Sequence, residues 1–245
     1  MPPYADADPK EWSAVLDGLR AAVGKTPALE NAAELVARQL YATYEASTAL
    51  ARVYAVVPYR DLAPSVGAFV DELASKTGQT DHIRPDTPVL TLLATHGTKA
   101  EWCDRRKSQG HVGIPLVSAQ FVEAIPMVAR LLKELGVDLA WLDAAAEVNA
   151  RRLLGGFNGL FFVDDAATAR DSAGRLIIPA QDFVAEQGIK TVFGMGGFYP
   201  DNTLVVIIVF ARETLKRSQV ERFTSLISLF KGETFGVVRA RKFFG

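Results

Sequence analysis

Thiols are almost absent: Cys103 is the one cysteine in 245 residues. That excludes an internal disulfide and any multi-thiolate metal site. Histidine is nearly as scarce, with only His82, His96 and His111, too few for a histidine-rich metal cluster. An excess of one charge is missing too. Lys and Arg number 27 against 28 Asp and Glu, a formal net charge of -1. Electrostatics therefore give no reason to expect nucleic acid or an anionic membrane as partner. The longest strongly apolar run, Leu204 to Ala211, has eight residues, against about 20 for a bilayer span. Residues 1–10 are polar, unlike the apolar centre of a signal peptide. The expectation is a cytoplasmic protein without membrane insertion. What is present is ordinary globular material, 49% hydrophobic and 22% charged, enough for one large domain with a sizeable core.

Periodicity supplies the elements. Trp12, Val15, Leu16, Leu19 and Val23 predict a helix over 9–23, and Leu29, Ala32, Ala33, Val36 and Leu40 a second over 28–45. The β-branched run Thr48 to Val57 predicts a strand. Pro64 opens a helix that Gly78 ends. Thr87 to Thr95 is a second strand, and His111 to Leu116 a short third. Ser118 caps a helix that Pro126 must kink or break before Gly136. A further short helix is expected at 140–150. Then come strands at 159–163 and 176–179, with a short helix at 180–186. Strands 189–198 and 203–211 form a hairpin through Tyr199-Pro200-Asp201-Asn202, and a last helix starts at Thr214. Hairpins beside long helices make this α+β.

The common catalytic motifs are missing. No GxxxxGK[ST] loop, HExxH or GxSxG elbow occurs. Gly194, Gly196 and Gly197 resemble a dinucleotide loop but sit in a hairpin strand with no helix following. Close backbone approach explains them better. Asp164 and Asp165 are adjacent in a strand end, so they point apart and make a poor acid/base pair.

The densest polar cluster is Trp102-Cys103-Asp104-Arg105-Arg106-Lys107-Ser108-Gln109-Gly110-His111. Its arginines offer a planar fork for an anion, and His111 a titrating group. The plainer alternative is a solvated loop with one arginine folded against Trp102. Cys103 reads as a small apolar filler or a redox sensor. His96 reads as a structural histidine or a haem ligand.

Two stretches, Thr91 to Leu116 and Ile178 to Arg212, resemble a GAF-like sensory module of bacterial signalling proteins. The matching features are Trp102, Arg105, Ser108, His111 and Ile114-Pro115-Leu116. They continue with Ile178-Pro179-Ala180-Gln181, Gly188-Ile189, Gly194-x-Gly196-Gly197 and the apolar strand ending at Phe210. The resemblance spans roughly residues 48–232. It implies a GAF/PAS-like antiparallel sheet of about six strands, helices on one face, and long N- and C-terminal helices. The implied organisation is N-terminal dimerisation helices at 1–47, the GAF-like body at 48–235 and a tail at 236–245. Such modules precede kinase, cyclase or phosphatase output domains. None follows residue 232, so the expectation is a stand-alone sensor or an excised piece.

The resemblance implies a non-catalytic sensory homodimer that passes ligand binding through its terminal helices to an output protein such as a kinase or cyclase. A small molecule would sit against Trp102, Arg105, Ser108, His111, Phe157, Phe162 and Met195. Signatures of cyclic-nucleotide and bilin binders are missing, so the cofactor or ligand is unknown. Three alternatives stand beside this reading. One is an enzyme clamping an anionic substrate with Arg105 or Arg106 and using His111 as acid/base. The others are a haem sensor using His96 or His111, and a structural dimerisation module.

Overall fold

The computed structural model describes residues 2–108, 110–143 and 158–245. Six strands form one antiparallel sheet in the order β3-β2-β1-β6-β5-β4. They are β1 (Thr48–Pro58), β2 (Pro88–Gly97), β3 (Gly113–Pro115), β4 (Asn158–Val163), β5 (Thr191–Phe198) and β6 (Leu204–Ala211). The central strands β1 and β6 are apolar on both faces save for Arg52 and Thr48 of β1, because each face carries its own core.

One face is covered by the long helices α1 (Pro9–Val23), α2 (Leu29–Thr43) and α8 (Ser225–Arg239). The Asp8 carboxylate caps α1 by accepting from the Lys10 and Glu11 amides. Tyr4 is fully buried among Tyr44, Phe193 and Phe223. It is held by Thr48 Oγ1 at 2.7 Å and by Glu213, which accepts its amide. The helix α2 has no side-chain cap. Its first amides, Leu29 and Glu30, donate instead to the carbonyls of Lys242 and Phe243, each at 2.9 Å. The segment expected as a tail thus carries the last turn of α8 and then caps α2, with Phe243 buried.

The opposite face lies under the short helices α4 (Ala119–Glu123), α5 (Pro126–Glu134) and α6 (Gln181–Gln187). Ser118 caps α4 by accepting from the Phe121 amide. The break between α4 and α5 falls at Pro126, where its missing N–H stands at the first turn. The helix α3 (Pro64–Thr77) starts at Pro64, ends at Gly78 with φ +69°, and packs beside β3.

Two expected elements differ. Residues 176–179 are not a strand: only Leu176 pairs, with Arg170. Asp171 accepts the amides of Ala173 and Arg175 and closes a tight turn there, and Pro179 has no N–H to continue a ladder. The last helix does not start at Thr214. A short α7 (Arg217–Val220) and a 3-10 turn at Glu221–Thr224 come first, turning Val220 and Phe223 into the core. Of the helix expected at 140–150, Leu139–Leu142 is a 3-10 turn and the part from 144 on lies outside the described residues.

Candidate functional site

Strand β1 carries one charged residue, Arg52, on the face under α5. Its neighbours on that face are Leu50 and Tyr54, and across the ladder Ile208 on one side and Thr95 on the other. The guanidinium holds down the loop that follows Lys107. Nη1 donates to the Gly110 carbonyl at 3.0 Å and to Tyr54 Oη at 3.2 Å, and Nη2 to Ser108 Oγ at 2.9 Å. Among the described residues, Nε and Thr95 Oγ1 are buried and have no partner.

Beside Arg52 is a cavity of about 40 Å³. Its polar lining is Arg52, Tyr54 and His111; Leu90, Ile114, Leu131, Ile208 and Phe210 are among its apolar walls. His111 stands at the rim, its ring turned onto the cavity lining, with a backbone φ of 54°. Removal of its ring from water, and then the Arg52 charge, hold its pKa below the ordinary imidazole value. It is therefore a neutral donor or acceptor at pH 7.

The structure separates the residues expected to line one pocket. Ser108 and His111 are at the cavity, the first through Arg52. Trp102 is one step away: it covers the end of β2 at Gly97 and meets Phe183 edge-on, and Phe183 in turn meets the cavity wall at Phe210. Arg105 points towards the helix layer, where it pairs with Glu30 of α2 and lies over the Phe244 ring at 5.1 Å. Phe162 and Met195 pack on the opposite face of the sheet, in the core beneath the long helices. Phe157 lies outside the described residues. Arg52 and Tyr54 went unread in the sequence, although a lone arginine inside the strand TALARVYAVV was the available signal.

The remaining candidates have plain roles. Arg106 pairs with Asp104, lowering that carboxyl's pKa through the hydrogen bond. Asp165 accepts from the Thr168 hydroxyl and the Ala167 and Thr168 amides, and so caps a turn. His96 packs against Tyr41 with its pKa lowered by burial, and exposed Cys103 lies 3.9 Å from its Nε2. Among the described residues no three His, Cys, Asp or Glu side chains gather as a metal site. A Cβ at Gly194 would sit 2.8 Å from the Ile207 carbonyl, and one at Gly196 2.7 Å from Leu135. Those glycines serve close packing.

No family model matches the chain, and no curated protein matches it. Solved structures do. The phycoerythrobilin-bound GAF domain from a cyanobacterial phytochrome is 11% identical with a TM-score of 0.50, covering 96% of this chain and 98% of that one. The phycocyanobilin-bound GAF domain from a cyanobacterial phytochrome is 12% identical over the same shares, with a TM-score of 0.49. The GAF domain from an Acinetobacter phosphoenolpyruvate-protein phosphotransferase is 11% identical with a TM-score of 0.46, covering 93% and 94%. The chain has the fold of a GAF domain. At these identities the likeness is one of fold.

Proposed function

We propose that this chain is a non-catalytic sensory module of bacterial signal transduction, holding a small ligand beside Arg52 and reporting it through its terminal helices. One observation carries the reading. The loop 105–111 touches both the cavity and the helix layer, through Ser108 and Gly110 on Arg52 and Arg105 on Glu30 and Phe244. A ligand that moves Arg52 would move the contact that braces α2 and the segment capping it. That requires a difference in ligand affinity between two states of the loop.

The competing readings lose ground on the same geometry. Arg105 is committed to Glu30, and Arg106 to Asp104, so neither stands as an anion clamp for an enzyme. A cavity of about 40 Å³ is far below the roughly 300–1,000 Å³ of sites for drug-sized ligands. It suits a ligand of a few atoms rather than haem or a bilin. Residues 1–47 and α8 would form the dimerising and signalling layer around the body at 48–235, as a cytoplasmic homodimer acting on an output protein such as a kinase or cyclase. Phe235 of α8, 40% exposed, would mark its seam. No helix among the described residues is long and apolar enough to cross a membrane.

The test is a screen of small polar molecules by thermal shift, followed by hydrogen exchange on each hit. The expected result is a hit that changes protection in α2 and residues 242–245 as well as at Arg52. Hits whose effect stops at the cavity, or a screen with none, would overturn the proposal.

A further inference from the structure

Arg52 differs from the ion-paired arginines in where its charge lies. Arg105, Arg106, Arg130, Arg175 and Arg241 each face a carboxylate. Among the described residues Arg52 makes no ion pair, and its contacts are a carbonyl and two hydroxyls. A guanidinium beside an apolar cavity without a counter-ion is costly unless something anionic joins it. Its Nε, the one guanidinium nitrogen aimed at none of these partners, is buried and orphaned among the described residues.

A second orphan stands next to it. Thr95 faces Arg52 directly across the β1–β2 ladder, so the two side chains share a sheet face. Thr95 is 3% exposed, and its hydroxyl has no partner among the described residues. Buried polar atoms without partners are rare in folded proteins and call for an explanation. Tyr54 adds a third group: its oxygen accepts from Arg52, which leaves its O–H free to donate. Arg52 and the free phenol, with His111, thus line one side of a cavity whose other walls include Leu90, Ile114, Leu131 and Ile208, while Thr95 lies beside Arg52 outside that lining.

Size and polarity narrow the occupant. About 40 Å³, at roughly 10–15 Å³ for each water-sized occupant, admits about three or four heavy atoms, with one more if the walls yield. Inorganic phosphate would press oxygens against the leucines. A neutral alkane would leave the donors unmet. We infer that the Arg52 cavity binds a short-chain monocarboxylate such as acetate or propionate. The carboxylate accepts from Arg52 Nε and the Tyr54 hydroxyl, and the one or two remaining carbons lie against Leu90 and Leu131. This rests on the proposal above that the cavity is a ligand site.

The experiment follows the Arg52 Nε–H resonance by NMR, assigned by its loss in Arg52→Gln, while propionate is added to the intact chain. Propionamide, of the same shape without the charge, and inorganic phosphate are titrated in parallel. Propionate is expected to shift the resonance with roughly millimolar affinity, given its few atoms. Propionamide should bind at least about tenfold more weakly, as should propionate to Arg52→Gln. Equal binding of propionamide, tighter binding of phosphate, or no propionate shift at a hundredfold excess over the expected constant overturns the assignment. The propionate–propionamide comparison needs no variant to fold. Propionate binding without any change at α2 would leave this site standing and remove the signalling role. A different ligand that alters α2 would do the reverse.

Discussion

The contact between Glu30 and Arg105 offers the sharpest test of how the cavity loop is tied to the helices. The two side chains are only 17% and 10% exposed, so solvent screens them less than a surface pair. Removing one partner of a fully buried pair costs about 3–5 kcal/mol, and an exposed pair contributes about 0–1 kcal/mol. This pair belongs between those limits. Arg105→Ala also loses the stack on Phe244, worth about 0.5–1 kcal/mol. Its total cost should be about 2–3 kcal/mol. Glu30→Gln keeps the shape and an acceptor for the Gly245 amide. It loses the ion pair and a favourable charge in the first turn of α2, the latter worth about 0.3–1 kcal/mol.

Urea unfolding of both single variants and the double variant closes a cycle that cancels the helix-dipole and stacking contributions. The expected coupling is about 1–2 kcal/mol. For a chain of this size, a loss of 2 kcal/mol lowers Tm by about 4–8 °C. A coupling below about 0.5 kcal/mol would refute the argument, because loop and helix would then be held by neighbouring contacts and the pair would transmit nothing. Hydrogen exchange supplies the second readout. Arg105→Ala should release protection at Leu29 and Glu30, whose amides rest on the Lys242 and Phe243 carbonyls.

Three further outcomes follow from other parts of the molecule. His96 and His111 are both held below the ordinary imidazole value of 6.5, so below that pH the unfolded chain binds more protons than the folded one. Stability should therefore fall as pH drops under about 6.5. Thermal melts from pH 7.5 to 5.5 should flatten in the His96→Asn, His111→Asn double variant, and an unchanged slope would contradict the assignment. Gly196→Ala, with a Cβ 2.7 Å from Leu135 and 3.0 Å from the Val205 carbonyl, should cost about 1–3 kcal/mol in chemical denaturation, and wild-type stability would show that β5 has room to move. Cys103 is exposed, so Ellman's reagent should titrate it in the folded protein, and labelling only after denaturation would contradict its placement.

The sequence showed the elements better than their faces. Pro64, Gly78, Ser118 and Pro126 act within a few residues, through φ, a missing N–H or a cap, so their effects are readable locally. Which face a strand residue takes is not local when both faces are buried. Phe161 and Phe162 are both apolar, yet the first packs under the short helices and the second under the long ones. Alternation, the usual guide to direction, is lost in such strands. Met195 went to the far side of the sheet for the same reason. Residues 176–179 looked like a strand because Leu176, Ile177 and Ile178 are apolar, but Ile177 and Ile178 are buried from a loop.

The polar cluster at 102–111 was legible as unusual but not as divided. Read as a string, it offers a tryptophan, arginines, a serine and a histidine to one ligand. In the fold the chain turns between each, so Trp102 covers the sheet, Arg105 grips α2, Ser108 bonds Arg52, and His111 reaches the cavity rim. The cationic side chain that lines the cavity belongs to Arg52, some fifty residues upstream, which only β-pairing brings beneath the loop. A strand that is otherwise uncharged from Thr48 to Pro58 tolerates an arginine at its centre only if the burial of that charge is offset. The loop supplies three neutral acceptors with the Tyr54 phenol, and none is anionic. What the fold leaves uncompensated at Arg52 is therefore a positive charge, and the proposed ligand is the one that would meet it.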